Sequence, residues 1–201
     1  ILNKHLNKHY GIARNKFNVV SCQFSIHYFF ENKKKLDGLI QNITDNLKDG
    51  GYFIGTCLDG EKVYNALKGI RKNKSIQEKD GKNTIWQITK KYDSKKKFLP
   101  NESSLGIEID VFIDSIGQRM TEYLVNFEYM QQQFAEKGLE LVNNDFFNDI
   151  FKEMQKDTNE LYNDAKTITK KEKNLSFLFR QFVFKKKPMK KKSKKSKKSK
   201  N

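Results

Sequence analysis

The sequence predicts an α/β fold in which a parallel βαβ unit carries an antiparallel β insertion. Two patterns support this. Between Phe17 and Cys57 a short apolar run, an amphipathic stretch and a second apolar run follow one another directly, the order of strand, crossover helix and parallel strand. From Gly106 to Ile113 apolar and polar residues alternate strictly, then turn back through Asp114-Ser115-Ile116-Gly117, as in a half-buried antiparallel strand.

Phe17 to Cys22 has the length and β-branched content of a buried strand. It then breaks into Gln23, His27 and Tyr28 among Phe24, Phe29 and Phe30, a mixture that a core strand would not choose. Lys33 to Leu47 places Leu36, Leu39, Ile40, Ile43 and Leu47 on one helical face. Asp49-Gly50-Gly51 is expected to stop that helix. Tyr52 to Cys57 is a second buried strand. In open α/β sheets ligands lie beyond the carboxyl ends of the strands, where Gln23–Tyr28 and Cys57–Gly60 fall.

Glu61 to Leu67 predicts a short helix, residues 69–83 a lysine-rich loop, Thr84 to Tyr92 a strand, and Asp93 to Ser104, with Pro100, a loop. Within the alternating strand, Ile107, Ile109, Val111 and Ile113 share one face. Glu108 and Asp110 are on the other and are expected to face solvent. Arg119 to Asn126 returns as its partner. Phe127 to Lys137 predicts a helix stopped by Gly138, and Leu139 to Val142 a short strand. Helices over Asn144–Met154 and Asn159–Lys171 and a last strand over Leu175–Phe184 complete the prediction.

Three regions follow. Residues 1–16, polar and basic with His5 and His9, read as the end of a preceding element. Residues 17–184 form the folded domain. Residues 185–201 form a lysine-rich tail expected to be disordered. The chain begins with Ile and reaches its first strand almost at once, so an upstream part of the domain is expected.

Of 201 residues, 36% are hydrophobic and 32% charged, with a net charge of +16. That is enough apolar content for one domain with a core. The 11 lysines of Lys185–Asn201 leave only +5 on the rest. A polyanionic partner and a solubilising tail fit this balance equally. Cys22 and Cys57 lie in apolar runs without C-x-x-C spacing, which argues for reduced core thiols and against a zinc site or disulfide framework. No apolar run approaches a membrane span of about 20 residues. G-x-S-x-G, H-E-x-x-H, P-loop and G-x-G-x-x-G motifs are absent.

The cluster after the first strand has another character. Gln23 both donates and accepts through one amide, His27 and Tyr28 add polar groups, and the phenylalanines add stacking faces, a set suited to a nucleobase or ribose. Phe17-Asn18-Val19-Val20-Ser21-Cys22-Gln23-Phe24-Ser25-Ile26-His27-Tyr28-Phe29-Phe30-Glu31 resembles the F-D-x-x-S-C-Q-F-x-x-H-Y-x-F-E segment of messenger-RNA cap guanine-N7 methyltransferases. Asp49 to Thr56 resembles the family's strand after the crossover helix, Thr121 to Phe127 its E-Y-L-V-x-F segment, and Ser176 to Lys186 its closing strand. Cys57-Leu58-Asp59-Gly60 and the lysine tail look closer to multifunctional capping enzymes of large DNA viruses and protists than to animal members.

The resemblance implies the carboxyl-terminal portion of a class I, Rossmann-like S-adenosylmethionine-dependent methyltransferase, moving a methyl group to N7 of the guanosine cap. It implies that Gln23 and Tyr28 contact S-adenosylmethionine, and that His27, Glu122 and Phe179 contact the cap guanine. It implies no metal and no covalent catalyst, catalysis being by positioning. Expected partners are capped RNA, triphosphatase or guanylyltransferase domains in the same polypeptide, or a stimulatory subunit, with no membrane. The expected setting is intracellular, the nucleus or a viral factory. Asn18 replaces the family's Asp, Leu58 an animal proline and Phe179 a tyrosine. The family's glycine-rich donor-binding turn and ribose-binding acid are absent from Ile1–Lys16, so this chain alone is expected to bind the donor poorly. Two other readings stay open: a methyltransferase of another substrate, and a non-catalytic basic RNA-binding module.

Overall fold

In the computed structural model, residues 11–156, 163 and 165–188 are described. His5, His9 and the tail beyond Pro188 lie outside them, as do residues 159–162 and 164 of the helix expected over Asn159–Lys171; within that stretch residues 166–169 are turn and coil, and the next helix begins only at Lys170. The elements are β1 (Phe17–Gln23), α1 (Lys33–Asn46), β2 (Leu47–Leu58), α2 (Gly60–Ala66), β3 (Ser75–Asp80), β4 (Asn83–Lys90), β5 (Glu108–Ile113), β6 (Gln118–Tyr123), α3 (Phe127–Glu136), β7 (Leu139–Phe146), α4 (Phe147–Met154), α5 (Lys170–Ser176) and β8 (Phe179–Lys186). Two four-stranded sheets result, one in the order β1-β2-β8-β7 and one in the order β3-β4-β5-β6.

In the first sheet β1 and β2 are parallel, with α1 as the crossover, and β8 and β7 continue antiparallel. The expected βαβ unit is therefore present. Phe53, Phe182 and Phe184 from the sheet close with Leu36 and Ile40 of α1 and Met130 and Phe134 of α3 into one core. The second sheet is antiparallel throughout. Its core joins Trp86, Ile88, Ile109 and Val111 to Val63 and Leu67 around α2. The expected face of Ile107, Ile109 and Val111 is buried, and Ile113 packs at its rim.

Each lobe sets a buried lysine against a helix end. Lys186 Nζ donates to the carbonyls of Thr44 (2.7 Å) and Leu47 (2.8 Å) at the end of α1. Lys90 Nζ donates to the carbonyl of Leu67 (3.3 Å) after α2. Both place a cation where a helix leaves carbonyls unpaired and its dipole is negative.

Several expectations need correction. β1 is not a buried strand: it sits at the sheet edge, with Phe17 and Val19 exposed and Cys22 half-buried. The lysine-rich segment 69–83 contains β3, an edge strand whose only large aliphatic side chain is Ile76, too few for a period-two signal. α1 ends at Asn46, before the glycines. β7 runs on to Phe146 because a bulge at Val142 breaks its alternation, and Asn144 and Asp145 are held by Arg180 (3.0 Å) and Gln181 (3.3 Å). The helix expected from Asn144 starts at Phe147. The start of the expected last strand is helix α5. Its Thr169–Glu172 capping box marks that start. β8 also extends two lysines past the expected boundary at Phe184.

Candidate functional site

β1 ends at Gln23, which lies in register with Thr56 of β2. Thr56 Oγ1 donates to Gln23 Oε1 (2.8 Å), and Gln23 Nε2 donates to Ser21 Oγ (2.9 Å). The exposed amide is thus oriented from both sides, with one N–H and one acceptor lone pair uncommitted. Phe24 follows in a left-handed backbone conformation (φ 51°), a strained choice for an aromatic residue. Its N–H reaches both the carbonyl (3.0 Å) and the hydroxyl (3.2 Å) of Thr56. That turn leaves the Phe24 ring 52% exposed, set edge-on to Phe179 (5.4 Å) and Phe147 (6.4 Å).

A single 3-10 turn over Ile26–Glu31 carries the next groups. Ile26 and Phe30 are fully buried and anchor it. The Gly106 N–H donates to the Phe30 carbonyl (2.9 Å), tying the turn to the approach to β5. His27 is consequently buried and Tyr28 projects outward, their rings 4.2 Å apart. Glu122 of β6 pairs with Ile109 and so shares that strand's inner face. Its Oε2 lies 3.5 Å from His27 Nδ1, with side chains only 12% and 7% exposed.

This contact is not an ion pair. Burial pushes Glu122 up to about 7 and His27 down to about 4, whereas an ion pair would shift both the other way. Burial thus favours the uncharged form of both groups. His27 Nε2 is buried without a hydrogen-bond partner among the described residues. Tyr28 is raised, first by burial and then by the charge of Glu122.

The five expected site residues therefore fall into three adjoining groups. Gln23 stands at the strand end, and His27, Tyr28 and Glu122 form one cluster. Phe179, paired with Leu58 in β8, joins Phe24 and Phe147 instead. That aromatic group opens a cleft of about 420 Å³ lined also by Trp86, Ile113 and Leu175. Asp110, expected in solvent, is half-buried with Lys91 (3.4 Å) and Thr121 (3.1 Å). Sequence reasoning missed Ser21, Thr56 and Phe147 as parts of the site; only the β1–β2 register could have exposed Thr56.

A model of the mRNA (guanine-N(7))-methyltransferase domain matches residues 1–187. The chain belongs to that family. Its relatives include the "Probable mRNA-capping enzyme" of Acanthamoeba polyphaga mimivirus, 34% identical over 81% of this chain and 14% of that protein. The "mRNA cap guanine-N(7) methyltransferase" of Saccharomyces cerevisiae is 31% identical over 66% of this chain and 30% of that protein. The chain thus spans a third or less of these relatives. A solved S-adenosylmethionine-dependent methyltransferase from Clostridium acetobutylicum superposes with a TM-score of 0.46 at 13% identity, over 86% of this chain and 59% of that one. The described residues form an α/β fold with one mixed and one antiparallel sheet. Among the described residues no cluster of His, Cys, Asp or Glu could hold a metal ion, and no helix is long and apolar enough to cross a membrane.

Proposed function

We propose that this chain contributes to methyl transfer from S-adenosylmethionine to N7 of the guanosine cap of messenger RNA. The observation that carries the reading is the buried Glu122 carboxyl beside an unpartnered His27 nitrogen, next to an oriented amide at the end of β1. A carboxylate accepts only, and the guanine edge offers the N1 and N2 hydrogens side by side. Glu122 would accept both, and His27 Nε2 would be satisfied by the same ligand. Phe24 and Phe179 offer stacking faces beside them.

The residues present fit the methyl donor. Gln23 keeps a free donor and acceptor, and Tyr28 is exposed beside it. S-adenosylmethionine would supply an activated methyl on a good leaving group. N7 of guanine has its own lone pair, so no general base is needed. The protein's task is alignment, which can contribute up to about 7–11 kcal/mol. Gln23 and Tyr28 would hold the donor while Glu122, His27 and Phe179 hold the purine.

On this reading residues 17–184 form the carboxyl part of a methyltransferase domain, residues 1–16 the end of a preceding element and residues 185–201 a lysine-rich tail. Capped RNA is the substrate. Triphosphatase or guanylyltransferase domains in the same polypeptide, or a stimulatory subunit, and a nuclear or viral-factory setting belong to the same proposal. The test is methyl transfer by the full-length protein to guanosine-capped against uncapped RNA. Transfer to capped RNA alone is expected; equal transfer to both would overturn the reading.

A further inference from the structure

We infer that Thr56 is a positioning residue for the methyl donor, acting through Gln23 and Phe24. This rests on the reading of Gln23 as a donor contact. The Thr56 hydroxyl makes two bonds in the site: its proton goes to Gln23 Oε1 (2.8 Å) and one lone pair accepts the Phe24 N–H (3.2 Å). The same residue's carbonyl takes that N–H at 3.0 Å.

Two consequences follow from donor and acceptor counting. An amide can turn over and exchange its oxygen for its nitrogen at little steric cost. Here the exchange would turn Gln23 Nε2 toward the Thr56 hydroxyl and take Oε1 away from the Thr56 hydrogen it now accepts. The arrangement with Oε1 on Thr56 gives the hydroxyl hydrogen an acceptor, and Ser21 Oγ takes one amide N–H on the other side at 2.9 Å. Thr56 therefore decides which end of the Gln23 amide meets a ligand. The second consequence concerns the backbone. A non-glycine residue at φ 51° persists only where its surroundings over-determine it. The Thr56 carbonyl (3.0 Å), which a side-chain variant keeps, and its hydroxyl (3.2 Å) together hold Phe24 in that state, so the turn carrying His27 survives loss of the hydroxyl alone. Thr56 is half-buried on the exposed side of β2, between the fully buried Phe53 and Cys57, so its hydroxyl has a role beyond core packing.

The discriminating experiment uses Thr56→Val, which keeps shape and removes the hydroxyl, Thr56→Ser, which keeps the hydroxyl, and Gln23→Ala, all in the full-length protein. Binding of S-adenosylhomocysteine is measured by calorimetry, and KM is measured separately for donor and capped RNA. Thr56→Val should weaken S-adenosylhomocysteine binding and raise the donor KM by roughly 5–20-fold, the loss of one or two neutral hydrogen bonds, with a cap KM within twofold of the parent. Thr56→Ser should restore both. In the Gln23→Ala background Thr56→Val should add little. If Gln23→Ala weakens donor binding and Thr56→Val does not, the positioning role is overturned while the donor reading stands. Equal rises in both KM values, unrescued by serine, would make Thr56 a general structural residue and overturn the role too. If neither variant changes donor binding, the reading beneath it falls and takes the inference with it.

Discussion

Gln23 closes a strand of the first sheet and Glu122 lies one residue from the end of a strand of the second, and they are held in opposite ways. Gln23 is exposed and fixed by two hydrogen bonds. Glu122 is buried beside one imidazole and held by desolvation more than by partners. A neutral amide can be tuned by orientation and needs water or ligand only on one side. A carboxyl in a water-poor site is tuned through its proton, and a ligand with two donors supplies what burial has removed. The first sheet thus offers geometry and the second offers a charge that depends on occupancy.

The largest expected effect breaks the second half of this comparison. Glu122→Ala in the full-length protein should lower kcat/KM for capped RNA by roughly 10²–10⁴-fold, the worth of two hydrogen bonds to a charged acceptor, with the circular dichroism spectrum unchanged. Near-parent activity would remove Glu122 from the site. The parent's kcat/KM for capped RNA should rise with pH through about 7, as Glu122 ionises. Glu122→Gln should flatten that limb of the profile.

Stability sharpens the same contrast. Glu122, raised from 4.5 to about 7 when folded, loses its contribution as pH climbs between those values. His27, lowered from 6.5 to about 4, loses its contribution as pH falls between them. The slopes oppose each other from about pH 4.5 to 6.5, so the parent should be nearly flat there. Glu122→Gln should unmask the His27 slope, with urea stability dropping by about 3 kcal/mol from pH 6.5 to 4.

The two cores offer a test of their independence. Phe182→Ala should cost about 3–5 kcal/mol. Trp86, the single tryptophan, lies in the other core, and Leu58 and Phe179 at the adjoining ends of β2 and β8 pack into that second cluster. The Trp86 fluorescence transition should therefore move together with the circular dichroism one; an unshifted fluorescence midpoint would show two separately folding lobes. The smallest effects concern the helix-capping lysines. Lys186→Met, losing two short bonds, should cost about 2–3 kcal/mol, and Lys90→Met, losing one long one, about 1 kcal/mol, both read from urea midpoints.

The βαβ unit and the alternating face of β5 were legible because each buries one face and so writes its period into the chain. The polar end of β1 was legible because Gln23, His27 and Tyr28 interrupt an apolar run. Segments without a one-sided environment were not. β3 is an edge strand with polar residues on both faces, and β7 hides its continuation behind a bulge. The run from Leu175 to Phe179 is apolar but for Ser176, so helix and strand could be separated only by the Thr169–Glu172 capping box. In the site, the partnership of His27 with Glu122 joins a residue of the turn after β1 to one 95 positions later on β6, and no local pattern records it. Thr56 escaped because its role depends on strand register, not on its own neighbours in sequence.

The lysine at 186 has a further consequence. To the eye the basic run from Lys185 onward is uniform, yet Lys186 is 3% exposed while the side chain of Lys187 is 61% exposed. An amine-reactive reagent or trypsin would therefore meet two kinds of lysine within adjacent positions. A chain cut back to Phe184 to shed the basic run would also lose the cation that closes α1.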